Sequence, residues 1–418
     1  MADNRIKLAR GLRRSLDRAK NAEQLSIIVR YTPSRRIMRH REPAPGIRES
    51  YNYRLRPFVH MHATPEAIHR LEADSEVVRI CEDLPVRAFL DTSVPTIQVP
   101  RLWDVGLTGE GVAIAIVDTG IDSAHPDLRG RIASVTDFTG DGPADQHGHG
   151  SHCASVAAGS GAASEGRYRG VAPEATIYSA RALRTSGEGM MSDVMAGIEW
   201  AVEQGVQVIS LSLGDTGPSD GTDALSETCD AAVEAGVIVC VAAGNDGPGA
   251  CTIGSPGCAR KVITVGASSD SDQVASFSSR GPTADGRPKP DVVLPGQGVI
   301  AARAQGTDMG TVVNEYYTAL SGTSMSAPHA AGVCALLLQA EPALTPQDIK
   351  ARLMNTAVDL GDDPNAQGKG RVDAWRAWHG DPGSPPEPTP PAPGPGPTVG
   401  QGCLAGLLQL LYWGRRQD

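Results

Sequence analysis

From Asp91 onward the chain alternates short, continuous apolar runs with longer segments whose apolar positions recur at helical spacing. The runs are VAIAIV, ATIYSARAL, VQVISLSLG, GVIVCVAAG and KVITVGA; the helical segments include SDVMAGIEWAVEQG and DALSETCDAAVEAG. A strand that is apolar at every position is buried on both faces, and helices between such strands cover both faces of a parallel sheet. The pattern predicts a doubly wound α/β domain over 92–380, a mostly parallel sheet with helices on both faces. In such sheets functional residues gather just beyond the C-terminal ends of the strands. The domain closes with a helix in ALTPQDIKARLMNTAVDL and the GKGRVDAWRAW segment.

Before residue 91 the pattern differs. LSIIVRY and the alternating RLRPFVHMHA read as strands, ATPEAIHRLEAD as a capped amphipathic helix, and SEVVRICEDLPVRAF as further strand. These make a small α+β unit at 21–91 with a thin core of its own. Residues 1–20 set Ile6, Leu8, Leu12 and Leu16 among seven basic residues, which reads as a solvated basic leader. At the other end, 381–400 hold 9 Pro and 4 Gly in 20 positions, a polyproline-type linker before a short apolar tail at 401–418.

Composition narrows the partners. With 40% hydrophobic and 21% charged residues, the 418-residue chain has the balance of a folded soluble protein. Its net charge of −10 is unevenly spread: residues 1–60 carry 15 Lys and Arg against 5 Asp and Glu, the remainder 23 against 43. An acidic body repels phosphate, so nucleic acid is not the expected partner, and a basic front is attracted to that body. No window has the apolar length of a membrane-spanning helix. The N-terminus lacks an apolar signal region, so the expected location is cytoplasmic, or secreted if the sequence is truncated. The eight cysteines lack zinc spacing. Cys240 and Cys334 sit in apolar runs as core thiols, while Cys251 and Cys258 flank a loop short enough for a bridge if their Cβ atoms face each other.

Three segments place a reactive residue type at a strand end or helix start. GVAIAIVDTGID delivers Asp118 at the end of a buried strand, with Gly120 at the turn. In DQHGHGSHCASVAAG, His149 leads into an apolar helical face, with His147 and His152 as competitors. In ALSGTSMSAPHAAGVCALLLQA, Ser324 opens a long apolar helix with Pro328 in its early turn. A hydroxyl there lies near free N–H groups that stabilise an oxyanion. A serine hydroxyl needs a base, and a histidine base needs an orienting acceptor.

IVDTGID, HGSHCA and SGTSMSAPHAAG resemble, in this order, the three signatures of the subtilases, the subtilisin-type serine peptidases, over about residues 100–375. The resemblance implies a subtilisin-like fold and a serine endopeptidase acting on polypeptides, with Ser324 as nucleophile, His149 as base and Asp118 orienting the imidazole. It also implies that Asn245 in GVIVCVAAGND donates to the oxyanion. Gly187, Glu188 and Gly189 would form one lip of the cleft and Ser212, Leu213 and Gly214 the other. The primary specificity pocket would lie between Ser212–Gly214 and Ala242–Gly244, with Gly254 near its floor. No acidic residue is evident at that floor, so a large apolar or aromatic residue is expected before the cleaved bond. The chemistry needs no cofactor. Asp127 in AHPDL matches a position that often ligates structural calcium, but GAASEGRYRGVAP lacks the matching asparagine, and a turn or capping role is the alternative.

Residues 21–91 resemble the inhibitory propeptides of this family. That implies a zymogen, autoprocessing between about 88 and 95, and an intramolecular inhibitor; a monomer is expected. Two rival classes remain: a catalytically silent relative that only binds, and a non-peptidase serine hydrolase. The complete set of reactive residues counts against the first, and the lack of a GxSxG elbow against the second.

Overall fold

The computed structural model describes residues 7–8, 12, 16, 23–32, 45–52, 58–82 and 92–379. The chain divides into two compact units, Met1–Ala88 and Phe89–Asp418. In the smaller, strands β1 (Leu25–Tyr31), β2 (Ile47–Asn52) and β3 (Phe58–Ala63) precede helix α1 (Pro65–Ala73) and strand β4 (Val77–Glu82). The strands form an antiparallel sheet in the order β2-β3-β1-β4. Thr64 caps α1, its hydroxyl accepting from Ala67 N–H at 3.4 Å, and Pro65 supplies the fixed φ of the first turn. The helix buries Ala67, Ile68 and Leu71 on a core that includes Ile27, Val29, Met61 and Ile80. Leu8 and Leu12 join that core, so this part of the basic leader is not simply solvated. The strand expected in SEVVRICEDLPVRAF ends at Glu82; residues 83–91, 54–57 and the linker and tail at 381–418 lie outside the described residues.

In the larger unit, short helices α2 (Ser93–Thr96) and α3 (Val99–Trp103) lead into β5 (Ala113–Asp118) and β6 (Ile132–Asp137). Then come α4 (His149–Ala158), β7 (Thr176–Arg181), α5 (Met191–Glu203), β8 (Val208–Leu211), α6 (Ala224–Glu234), β9 (Ile238–Ala242), β10 (Ile263–Ser268) and β11 (Val292–Pro295). An antiparallel side sheet follows, β12 (Val299–Ala302), β13 (Thr311–Val312) and β14 (Tyr317–Leu320). The unit ends with α7 (Thr323–Ala340), α8 (Pro346–Asn355), α9 (Pro364–Gln367) and α10 (Ala374–His379).

The seven strands β5–β11 form a wholly parallel sheet in the order β11-β10-β9-β8-β5-β7-β6. Every residue of β8, β9, β10 and β11 is buried, as the continuous apolar runs require. One face packs on α4 and α7, the other on α5 and α6. Helix α7 is apolar around its circumference because it is enclosed on all sides. Gly332 lets it approach α4 closely: a Cβ there would stand 2.9 Å from the Ala157 carbonyl oxygen, and 2.5 Å from Val171 Cβ in the segment after α4. After β5 the chain goes to the edge strand β6, returns to β7 between the two, then crosses to β8 on the other side of β5. That reversal opens a crevice beyond the ends of β5 and β8.

Cys251 and Cys258 are free thiols, the buried Cys258 donating to the Ile253 carbonyl at 2.9 Å. Cys240 and Cys334 face each other at 3.9 Å in the core between β9 and α7. Among the described residues, no helix is long and apolar enough to cross a membrane.

Candidate active site

Asp118 is the last residue of β5, its side chain 1% exposed, and His149 is the first residue of α4, with its side chain 12% exposed. His149 Nδ1 lies 2.7 Å from Asp118 Oδ1, which also accepts from Thr119 N–H at 2.7 Å. A carboxylate only accepts, so Nδ1 carries the proton and Nε2 keeps its lone pair for base work. Burial opposes a charge on the imidazole, but the charge and hydrogen bond of Asp118, together with Cys153, raise the His149 pKa well above 6.5. One helical turn on, Cys153 Sγ lies 3.8 Å from Nδ1. Burial pushes this thiol up, so it is neutral near pH 7. Asp118, His149 and Cys153 offer ligand-type atoms within 4.8 Å of one another, but the Asp118–His149 hydrogen bond already engages two of them.

Asp145, which belongs to none of the three signatures, seats this pair. It is 6% exposed; its Oδ1 accepts from Thr119 Oγ1 at 2.9 Å, His147 N–H at 3.0 Å and Gly148 N–H at 2.7 Å. Its Oδ2 accepts from Ser151 N–H at 2.8 Å and Ser151 Oγ at 2.7 Å. Thr119 Oγ1 in turn accepts from Gly150 N–H at 2.9 Å. The residue after Asp118 and the first turn of α4 are thus tied together by one capped network. A Cβ on Gly150 would collide with the Gly120 carbonyl, so only glycine permits this approach. An acid just upstream of a helix start was the available signal.

Ser324 is in the first turn of α7. Its hydroxyl donates to the Ser212 carbonyl at 3.1 Å, and among the described residues His149 Nε2 has no hydrogen-bond partner. Cys153 lies between the two segments, its Sγ 3.8 Å from His149 Nδ1 and 3.4 Å from the Ser324 carbonyl oxygen, and among the described residues no hydrogen bond joins the Ser324 hydroxyl to the imidazole. Pro328 falls inside α7 rather than in its early turn. Proline has no N–H to give the carbonyl four residues back, which is that of Ser324. That carbonyl accepts instead from Ser212 Oγ at 2.8 Å and Cys153 Sγ at 3.4 Å, so a helix defect anchors the serine to both neighbouring segments. Asn245 follows β9; its Oδ1 accepts from Thr323 N–H at 2.9 Å and Thr323 Oγ1 at 3.1 Å.

The cleft encloses about 510 Å³ and is lined by His147, His149, Gly187–Gly189 and Ser212–Asp215, with Leu183, Val194 and Leu225 as its apolar wall. Gly187 has φ +82° and packs on His147, whose Nε2 would stand 2.8 Å from a Cβ there. His147 lies with its ring 6.3 Å from that of His149. His152 is fully buried, donates from Nε2 to the Val299 carbonyl at 3.0 Å, and is pushed by burial down to about 3, so it is a neutral core residue.

Two expectations change. Gly254 does not floor a pocket free of acids: a Cβ on it would stand 2.5 Å from Asp215 Oδ1, which accepts from Ser255 N–H at 2.6 Å. Asp215 follows the lip Ser212–Gly214 and folds back on residues 40 positions later, which no local motif reveals. Asp127 is fully buried, and its oxygens accept from Ala163 N–H at 2.9 Å and Tyr317 O–H at 2.8 Å. Burial raises the Tyr317 phenol, keeping it a donor. A calcium ion needs six to eight oxygen ligands, whereas Asp127 is met by donors, so these residues do not fit the ion.

Comparison with known proteins shows the family. Residues 109–370 match the Subtilase family of peptidases. The chain is 41% identical over 339 residues to Serine protease AprX of Bacillus subtilis (strain 168), covering 74% of this chain and 76% of that protein. It is 36% identical over 306 residues to Subtilisin E of the same organism, covering 71% and 74%. The crystal structure of a cold adapted subtilisin-like serine proteinase superposes with a TM-score of 0.52 at 31% identity, covering 64% of this chain and 89% of that one. The chain belongs to the subtilase family, with the α/β subtilisin-like fold, and is a serine endopeptidase.

Proposed function

We propose that Ser324, His149 and Asp118 are the catalytic residues, that Asn245 donates to the oxyanion, and that the chain is a zymogen. The observation that carries this reading is the buried 2.7 Å Asp118–His149 contact, set beside a serine in the first turn of α7. A substrate strand lies between the lips Gly187–Gly189 and Ser212–Gly214, pairing its backbone with theirs. The Ser324 hydroxyl turns about its Cα–Cβ bond from the Ser212 carbonyl to His149 Nε2. Its oxygen attacks the scissile carbonyl while Nε2 takes the proton, and Asp118 stabilises the imidazolium. The oxyanion accepts from the Asn245 amide and from a free N–H at the start of α7. His149 then returns the proton to the leaving amine, and water releases the acyl group by the reverse proton path.

The smaller unit is read as an inhibitory propeptide, cut near residues 88–95 by the same site. Its compact α+β sheet and its place before the catalytic unit support this. Fluorophosphonate labelling followed by peptide mass mapping tests the nucleophile: the adduct is expected on Ser324 and absent from Ser324→Ala. An adduct elsewhere, or casein hydrolysis by Ser324→Ala, overturns the assignment.

A further inference from the structure

Beyond the lip Ser212–Gly214 the chain reaches Asp215, which pairs with Ser255. The Asp215 N–H donates to the Ser255 carbonyl at 2.8 Å, and Oδ1 accepts from Ser255 N–H at 2.6 Å. This two-bond pairing presses the carboxylate against Gly254, into the space that a side chain at 254 would fill. Asp215 also lines the cleft that contains His149. Asp215 is an exposed residue, and Gly254, against its carboxylate, is buried.

Its charge is not matched by the protein. Among the described residues Asp215 forms no ion pair. Ser255 is shared with a second acid: its hydroxyl donates to Asp223 Oδ1 at 2.5 Å, and Asp223 also takes Ser226 N–H at 2.9 Å and Ser226 Oγ at 2.7 Å. Burial raises the Asp215 pKa, the Ser255 hydrogen bond lowers it, and the Asp223 charge raises it again. A fixed carboxylate that has lost part of its water and faces an open cleft gains from a cation brought by the substrate. Lysine and arginine suit such a place, since their stems pass along apolar walls while the charged end reaches the acid. A phenyl ring would take further water from the carboxylate and give nothing back, and a glutamate would be repelled.

We propose that Asp215 selects lysine or arginine as the residue before the cleaved bond, in place of the apolar residue expected from the sequence. This rests on the endopeptidase reading of the cleft. The chain carries a fitting sequence in its own junction: Arg87 precedes Ala88 at the upstream edge of the 88–95 stretch, so the same selectivity cuts between Arg87 and Ala88.

The test is kcat/KM on three tetrapeptide amides that differ only in their last residue, Lys, Phe or Glu, with active enzyme counted by fluorophosphonate titration. Lys is expected to exceed Phe by about tenfold, the size of a partly desolvated charge pair, with Glu poorest. Asp215→Asn keeps an oxygen for the Ser255 N–H but loses the charge, and its Lys/Phe ratio is expected to fall toward one. Asp215→Glu keeps the charge and is expected to keep the Lys preference. N-terminal sequencing of the mature enzyme is expected to read from Ala88. Phe favoured over Lys in the unaltered enzyme, or an Asn variant with an unchanged ratio, overturns the inference. Titratable enzyme that turns over none of the three amides overturns the endopeptidase reading instead.

Discussion

Thr323 holds Asn245 by its oxygen, through an N–H bond of 2.9 Å and a hydroxyl bond of 3.1 Å, so the amide NH2 is left to donate. An amide pinned at one end cannot flip to offer its oxygen to an oxyanion. Replacing Asn245 with Ala is therefore expected to lower kcat roughly 100- to 1,000-fold with little change in KM, the size known for removal of this donor in a subtilisin. A KM change with kcat intact would assign Asn245 to ground-state binding.

The His149 pKa is raised by Asp118, and the base must be neutral to work. Activity is expected to fall as pH drops through that raised value, placing the acid limb of kcat/KM above pH 6.5. Stability runs the other way: the charged pair contributes fully below about pH 6.5, the unfolded value, and fades as pH rises through the folded one. Asp118→Asn should move the acid limb down and lower kcat by about 10⁴, because the imidazole loses its held tautomer. An acid limb unmoved by that substitution would detach it from His149.

Asp145 does not line the cleft that contains His149, but it joins Thr119 to the turn that carries His149. Asp145→Ala is expected to lower kcat by up to about 100-fold, the cost of a misplacement near 1 Å, with KM changed little. A lower Tm with normal kcat would restrict Asp145 to supporting the fold.

Ser324→Ala is expected to remain at full length during expression, while the unaltered chain loses its first unit. Intact mass measures both. Removal of the unit from the Ala variant purified alone would show that another protease makes the cut.

Tyr317 and Asp127 close with a hydrogen bond the place where the family resemblance calls for calcium. Tm is expected to be unchanged by a calcium chelator. Tyr317→Phe, which strands a buried carboxylate oxygen, is expected to cost about 1–3 kcal/mol. A large chelator-induced fall in Tm would restore the ion.

Much of this molecule is legible from local sequence. A continuously apolar run has to be a strand covered on both faces, and the helix periods between such runs give the doubly wound sheet. Asp118, His149 and Ser324 stand out for the same reason: each sits where a run ends or a helix begins, so its neighbours along the chain announce it. What the tertiary structure alone decided are meetings between distant segments. Asp215 on Gly254, Tyr317 on Asp127, and the Ser324 carbonyl freed by Pro328 and taken by Ser212 and Cys153 leave no period in the chain. Periodicity records which face a residue turns inward; which partner waits there depends on how separate elements pack, and that is what sets the Asp215 carboxylate against Gly254.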